Sequence, residues 1–147
     1  MIPQAPDLGP RPGPELVRRM LGQCRTIAVV GLSPNPARDS HRVAAYLLKE
    51  GFTVIPVNPK EESILGQKCF PSLAAIGQPV DLVDVFRASE HAPAVAREAV
   101  ALGAKALWLQ EGVISPEAAA IAQAAGLAFV QDSCLMVEHR RHLTCPA

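Results

Sequence analysis

The 147-residue chain carries 14 basic and 14 acidic side chains and no net charge at pH 7. With 49% hydrophobic and 19% charged residues, it has the make-up of one globular domain, large enough to bury a core without disulfide or metal staples. The charge balance excludes the broad basic face that nucleic acid or an anionic membrane surface requires, while leaving room for a local basic pocket.

Residues 1–14 hold Pro3, Pro6, Pro10, Pro12 and Pro14 and read as an extended tail without the apolar segment of a signal peptide. A domain is expected over 15–142, followed by a short tail over 143–147. A first helix is predicted from Glu15 to Gln23. Thereafter one unit recurs, consisting of an apolar strand, a polar loop, an amphipathic helix and a glycine. Thr26–Val30 is a short β-branched run, suited to a strand buried on both faces. Val43, Ala44, Leu47 and Leu48 make one helical stripe, ended by Gly51. Phe52–Val57 returns as a strand, in which Pro56 removes one ladder donor and weakens pairing.

Leu73–Ile76 reads as a single helical turn, and Leu82–Phe86 as the third strand. Val95, Ala96, Ala99 and Val100 line the next helix, closed by Gly103, and Ala106–Leu109 is the fourth strand. Ser115, Pro116 and Glu117 then supply a cap, a first-turn proline and an acid matched to the helix dipole. The last strand is Leu127–Val130, after Gly126. Strands alternating with helices at this spacing predict an α/β fold: a single doubly wound, Rossmann-like domain with helices on both faces of a five-stranded parallel sheet. The expected strand order is 3-2-1-4-5.

In such sheets, ligands bind beyond the carboxyl ends of the strands, where the strand order reverses. Those ends are polar here: Gly31 to Ser40, Asn58 to Lys60, Arg87 to Ser89, Gln110 to Gly112, and Asp132 to Cys134. The first loop is the phosphate candidate. Gly31 permits close backbone approach, the next helix offers free N–H groups, Ser33 and Ser40 add hydroxyls, and Arg38 adds a planar fork. A tight turn at Gly31 and a solvated Arg38 would read the same way. Ser33 and Pro36 occupy the second and third glycine positions of the dinucleotide fingerprint, so that motif is absent. After the second strand, Asn58 and Lys60 stand where an NAD site has a carboxylate. A cation there suits a ribose bearing its own phosphate, as in NADP or coenzyme A, although Glu61 and Glu62 make a plain surface lysine an alternative.

Trp108 within a strand is expected in the core. Glu111 either positions a ligand or caps a turn. The His139-Arg140-Arg141-His142 run reads as a solvated helix end rather than a metal site. The cysteines are Cys24, Cys69, Cys134 and Cys145. None forms a C-x-x-C pair, so reduced thiols in the cytoplasm are expected. Cys134 lies near the predicted site, and His41 would serve it as a base only if turned inward. No catalytic set and no metal ligands are assigned.

The segments AVVGLSPNPARDSHRVAAYLLKEGFTVIPVNPK, ILGQKCFPSLAAI, VDLVDVFR, GAKALWLQEGVIS and AGLAFVQDSC resemble the stand-alone bacterial CoA-binding proteins. That family shares the fold of the N-terminal domain of the succinyl-CoA synthetase α-subunit, and the resemblance runs from about Glu15 to Cys134. It implies coenzyme A as cofactor, with its phosphates in the loop from Gly31 through Ser33, Pro34 and Arg38 to Ser40. Asn58 and Lys60 are implied near the adenosine and its 3′-phosphate, Phe86 and Arg87 beside the pantetheine path, and Gln110 and Glu111 near the reactive end. The synthetase depends on a phosphorylated histidine in a second domain, to which nothing here corresponds. The resemblance therefore implies a carrier, sensor or regulator that binds CoA or an acyl-CoA without turnover. The alternatives are an NADP-dependent oxidoreductase and a subunit of a split acyl-CoA synthetase. The chain departs from the family at Ser133, where a basic residue is common. No protein partner is legible.

Overall fold

The computed structural model describes residues 13–142, so the two predicted tails lie outside it except for Gly13 and Pro14. Helix α1 spans Pro14–Gly22, with proline at its start, where a missing N–H costs nothing. Strand β1 (Thr26–Val30) leads to α2 (Asp39–Lys49) and β2 (Thr53–Val57). A small antiparallel hairpin follows, β3 (Ser63–Ile64) and β4 (Gln67–Lys68), and then a 3-10 turn at Ala74–Ile76. Next come β5 (Leu82–Val85), α3 (Ala92–Leu102), β6 (Ala106–Leu109), α4 (Pro116–Ala124), β7 (Ala128–Val130) and α5 (Leu135–His142). Ser115 caps α4 as expected, its hydroxyl accepting from the Ala118 N–H at 3.0 Å.

The five main strands form one parallel sheet, ordered β2-β1-β5-β6-β7. The α/β class and the five parallel strands are as expected, but the order corrects the sequence reading. Counting only these five, it is 2-1-3-4-5 rather than 3-2-1-4-5. The cause lies at the outer edge of β2. Among the described residues, backbone pairing at that edge is limited to Phe70, whose N–H donates to the Pro56 carbonyl at 3.0 Å and whose carbonyl accepts from the Asn58 N–H at 2.9 Å. Pro56 presents its missing N–H to that same edge, so a full strand there would lose a ladder bond. The chain instead crosses back to pair β5 with β1, and both strands are buried.

Alternation along each strand sends side chains to two apolar layers. Ile27, Val29, Leu82 and Trp108 pack under α1, α2 and α5, whereas Ala28, Val30, Val83 and Leu107 pack under α3 and α4. Because α2 and α3 lie on opposite faces, the connections leave β1 and β5 in opposite directions. The loops at the carboxyl ends of these two neighbours therefore part, and a cleft opens between them.

The terminal helix departs from expectation as well. His139 is buried, with Nδ1 2.6 Å from the Tyr46 hydroxyl and its ring edge-on to Phe52. Burial depresses its pKa. One helical turn brings Leu135, Glu138 and His139 to the packed side and leaves Arg140 and Arg141 outside. The run is thus half core, and only its arginines are solvated. No helix among the described residues is long and apolar enough to cross a membrane.

Candidate functional site

Three adjoining clefts run across the carboxyl ends of the sheet. The first, about 440 Å³, lies between the loop after β2 and the start of α3; its walls include Gly31, Ser33, Pro34, Asn58, Lys60 and Arg87. The second, about 420 Å³, is bounded by Gly31, Ser33, Arg38, Asp39, Ser40 and Phe86. The third, about 300 Å³, includes Asp39, Arg42, Phe86, Gln110, Glu111 and Cys134. Gly31 and Ser33 are shared by the first two, Asp39 and Phe86 by the last two. The three form one groove, and its walls include all eleven residues singled out from the sequence.

The loop after β1 is held by its own side chains. Ser40 Oγ accepts from the Ser33 N–H at 3.0 Å, Ser33 Oγ from the Asn35 N–H at 3.0 Å, and Asn35 Oδ1 from the Ala37 N–H at 2.9 Å. Each hydroxyl still has its own proton to donate into the groove. No side chain caps α2, so its first N–H groups and positive dipole end face the second cleft, a favourable place for an anion. Gly31 has φ +88°, and a Cβ there would lie 3.1 Å from Arg87 Cγ and 3.3 Å from the Phe86 carbonyl carbon and oxygen. Only glycine lets the two strand ends approach this closely.

Two predicted contact residues serve the framework as well. Asn58 donates from Nδ2 to the Leu32 carbonyl at 2.9 Å and accepts the Lys60 N–H on Oδ1 at 2.7 Å, tying the first loop to the second. Gln110 is buried, and its Oε1 accepts from the Leu135 N–H at 3.0 Å, fixing the start of α5. Phe86 and Arg87 line different sections of this groove. Successive residues at a strand end face opposite sides, so Phe86 borders the second and third clefts and Arg87 the first.

The segment before α5 is pinned from several directions. Asp132 stands in the left-handed region (φ 57°), its Oδ1 accepting from the Gly112 N–H at 2.8 Å. The buried Trp108 indole donates to the Ser133 carbonyl at 2.8 Å. Serine carries no charge and Ser133 is itself buried, so this position contributes neither a charge nor an exposed side chain to the groove. These bonds fix Cys134 on the wall of the third cleft. Cys24 and Cys69 are both buried, and burial raises both thiols, Cys24 to about 11. His41 is absent from the walls of all three clefts. No group of three His, Cys, Asp or Glu side chains able to hold a metal occurs among the described residues.

Sequence reasoning missed Asp39 and Arg42 on the third cleft and His91 on the first. Arg42 is one helical turn beyond Asp39, pairs with its carboxylate, and donates from Nη1 to the Ala37 carbonyl at 3.0 Å. That spacing was a readable signal. His91 follows Arg87 through an irregular turn, for which no periodicity argument existed.

Comparison with known proteins gives a consistent picture. The profile of the family described as "CoA binding domain" matches residues 25–140. The uncharacterized protein YneT of Bacillus subtilis (strain 168) is 39% identical over 123 residues, spanning 84% of this chain and 91% of that protein. A hypothetical protein from Pyrococcus horikoshii OT3 superposes with a TM-score of 0.88 at 39% identity, over 98% of this chain and 100% of its own. The ADP-forming acetate–CoA ligase I of Archaeoglobus fulgidus is 26% identical over 121 residues, which is 76% of this chain but 18% of the ligase.

Proposed function

This chain belongs to the CoA binding domain family, and we propose that its groove binds coenzyme A or an acyl-CoA in order to carry, sense or regulate it, without turnover. The observation that carries this reading is the continuity of the three clefts through shared walls. Coenzyme A is a long molecule with three chemically distinct parts, and the groove varies in the same order. Its first section has Lys60 and Arg87 beside Pro34, Pro59 and Pro71, suited to a phosphorylated nucleoside. The second has the uncapped start of α2, Arg38 and two hydroxyls, suited to a diphosphate. The third has Val43, Phe86, Val113 and Met136 with Gln110 and Glu111 at hand, suited to the pantetheine arm and its thiol.

The fit is supported by Gly31, which lines both of the first two clefts without a side chain. Among the described residues, no hydrogen bond or ion pair joins the Cys134 thiol to a charged side chain of the third cleft, whose charged residues are Asp39, Arg42 and Glu111, and no histidine lines that cleft. That favours binding over catalysis. Calorimetric titration with CoA, NADP and NAD tests the reading. We expect CoA to bind most tightly. Tight binding of NADP with no heat from CoA would overturn it in favour of an oxidoreductase. The likeness to a ligase of which this chain spans a small part keeps a second role in view, as one subunit of a split acyl-CoA synthetase. Co-purification of a larger histidine-bearing partner would select that role.

A further inference from the structure

Two neighbouring groups on the wall of the third cleft are left over from the fold, a thiol and an amide donor. The thiol is that of Cys134, which is half-buried there. Cys24 and Cys69 differ from it, since both are buried and burial keeps their thiols protonated. The backbone is fixed on both sides of Cys134. The Trp108 indole holds the Ser133 carbonyl at 2.8 Å, and Gln110 Oε1 holds the Leu135 N–H at 3.0 Å. The Cys134 carbonyl accepts from the Glu138 N–H at 2.9 Å, so the residue stands at the start of α5.

The amide donor belongs to Gln110, which is only 4% exposed. Its Oε1 must face the Leu135 N–H, so its NH2 group points the other way. Nε2 has no hydrogen-bond partner among the described residues, yet it is not sealed in, because Gln110 forms part of the cleft wall. A buried NH2 group with open surface at a cleft calls for a carbonyl from a ligand. The arm of coenzyme A ends in an amide carbonyl, its nitrogen, two methylenes and the sulfur. Val43, Phe86, Val113 and Met136 around the two groups suit those methylenes.

We propose that Cys134 forms a mixed disulfide with the sulfur of coenzyme A, by exchange with a CoA disulfide, while Gln110 Nε2 donates to the last amide carbonyl of the arm. This rests on the CoA reading of the groove. The peptide N–H that Gln110 holds is the one joined to Cys134, so a carbonyl received by Nε2 leaves the ligand sulfur on the Cys134 side. In the step, Cys134 gives its proton to solvent and its thiolate attacks the near sulfur of the bound CoA disulfide. A new S–S bond forms to the seated CoA half, the old S–S bond breaks, and the departing CoA thiolate takes up a proton. The protein thiol is oxidised and one CoA half is reduced, so no further oxidant enters. The reaction is stoichiometric and is reversed by excess thiol. It makes occupancy of the groove follow the redox state of coenzyme A without turnover.

The test is mass spectrometry of the full chain, reduced, freed of small thiols and then incubated with CoA disulfide or with glutathione disulfide. We expect a single CoA adduct that maps to Cys134 and is removed by dithiothreitol. It should form more than about tenfold faster than the glutathione adduct, because the groove concentrates the nucleotide half beside the thiol. Cys134→Ser should abolish the adduct and Cys145→Ser should retain it. Gln110→Glu keeps the acceptor for the Leu135 N–H and removes the donor. It should slow the reaction with CoA disulfide about tenfold and leave that with glutathione disulfide level, with an unchanged melting curve verifying its fold. An adduct on another cysteine, equal rates for the two disulfides, or an unaltered preference in a folded Gln110→Glu would overturn the proposal. If that variant fails to fold, the comparison of the two disulfides on the native chain still decides. Calorimetry of the reduced chain with CoA separates this proposal from the reading beneath it. Heat from CoA without a Cys134 adduct would sink the disulfide and leave the CoA reading intact, whereas neither heat nor adduct would sink both.

Discussion

Asp84 offers the sharpest test of how this core is held. It sits in the middle of β5, fully buried between Val29 of β1 and Trp108 of β6, and neither carboxylate oxygen has a hydrogen-bond partner. It shares its sheet face with Phe86, one pleat nearer the groove. Burial in apolar surroundings pushes its pKa well above the ordinary aspartate range, and desolvation is the cause. The folded protein therefore holds this proton more tightly than the unfolded chain, whose aspartate titrates near 3.9. The sign follows directly. The neutral acid is tolerated in full below about pH 3.9, and stability is lost as pH rises from there through the folded-state pKa.

Between those limits the loss is about 1.4 kcal/mol per pH unit. Asp84→Asn keeps the shape and removes the titration, so its stability relative to the native sequence should climb by that amount for each unit. With a urea dependence of about 1–3 kcal/mol/M, the gap between the two denaturation midpoints should widen by roughly 0.5–1.4 M per pH unit. The assay is urea unfolding of both proteins at intervals upward from about pH 4, where the unfolded aspartate begins to lose its proton, and the widening ends once the folded-state pKa is passed. Other titrating groups are common to both and cancel. Midpoints that move in parallel would refute the reasoning, because Asp84 would then carry the same charge folded and unfolded.

Two further outcomes are expected. Gly31→Ala should lose roughly 1.5–3 kcal/mol, from its left-handed φ of +88° and the approach of a Cβ to the Phe86 carbonyl and Arg87. It should also weaken CoA about tenfold as both groove walls shift. A native melting temperature with native affinity would contradict the close approach. Trp108→Phe strands the Ser133 carbonyl, at a cost of about 1–3 kcal/mol. It also frees the segment that holds Cys134, so iodoacetamide labelling of Cys134, followed by peptide mass spectrometry, should speed up. Unchanged labelling would mean that the indole bond at 2.8 Å does not position the thiol.

Much of the molecule is local in origin and was legible on that account. Thr26–Val30 and Ala106–Leu109 are continuous apolar runs with no other plausible state, and the stripe through Val43, Ala44 and Leu47 needs only the helical period. The site was legible for a related reason. In a parallel sheet every strand end points to one side, so reading five loops locates one groove without knowing the neighbours. Pro56 also held the clue to the strand order, since its missing N–H marks an edge. Its weight became visible only once Phe70 was seen occupying that edge.

What the amino-acid order determined by itself, then, was the element sequence, the parallel sheet and the side of the sheet on which the groove lies, because periodicity, capping and right-handed crossover act over short stretches of chain. Tertiary packing decided the rest. It chose which side of β1 receives β5, sent Phe86 and Arg87 into different clefts, turned His139 inward against Tyr46, and committed Asn58 and Gln110 to bracing loops far away in sequence. Each of those outcomes depends on which groups meet across long separations, and no local preference encodes that.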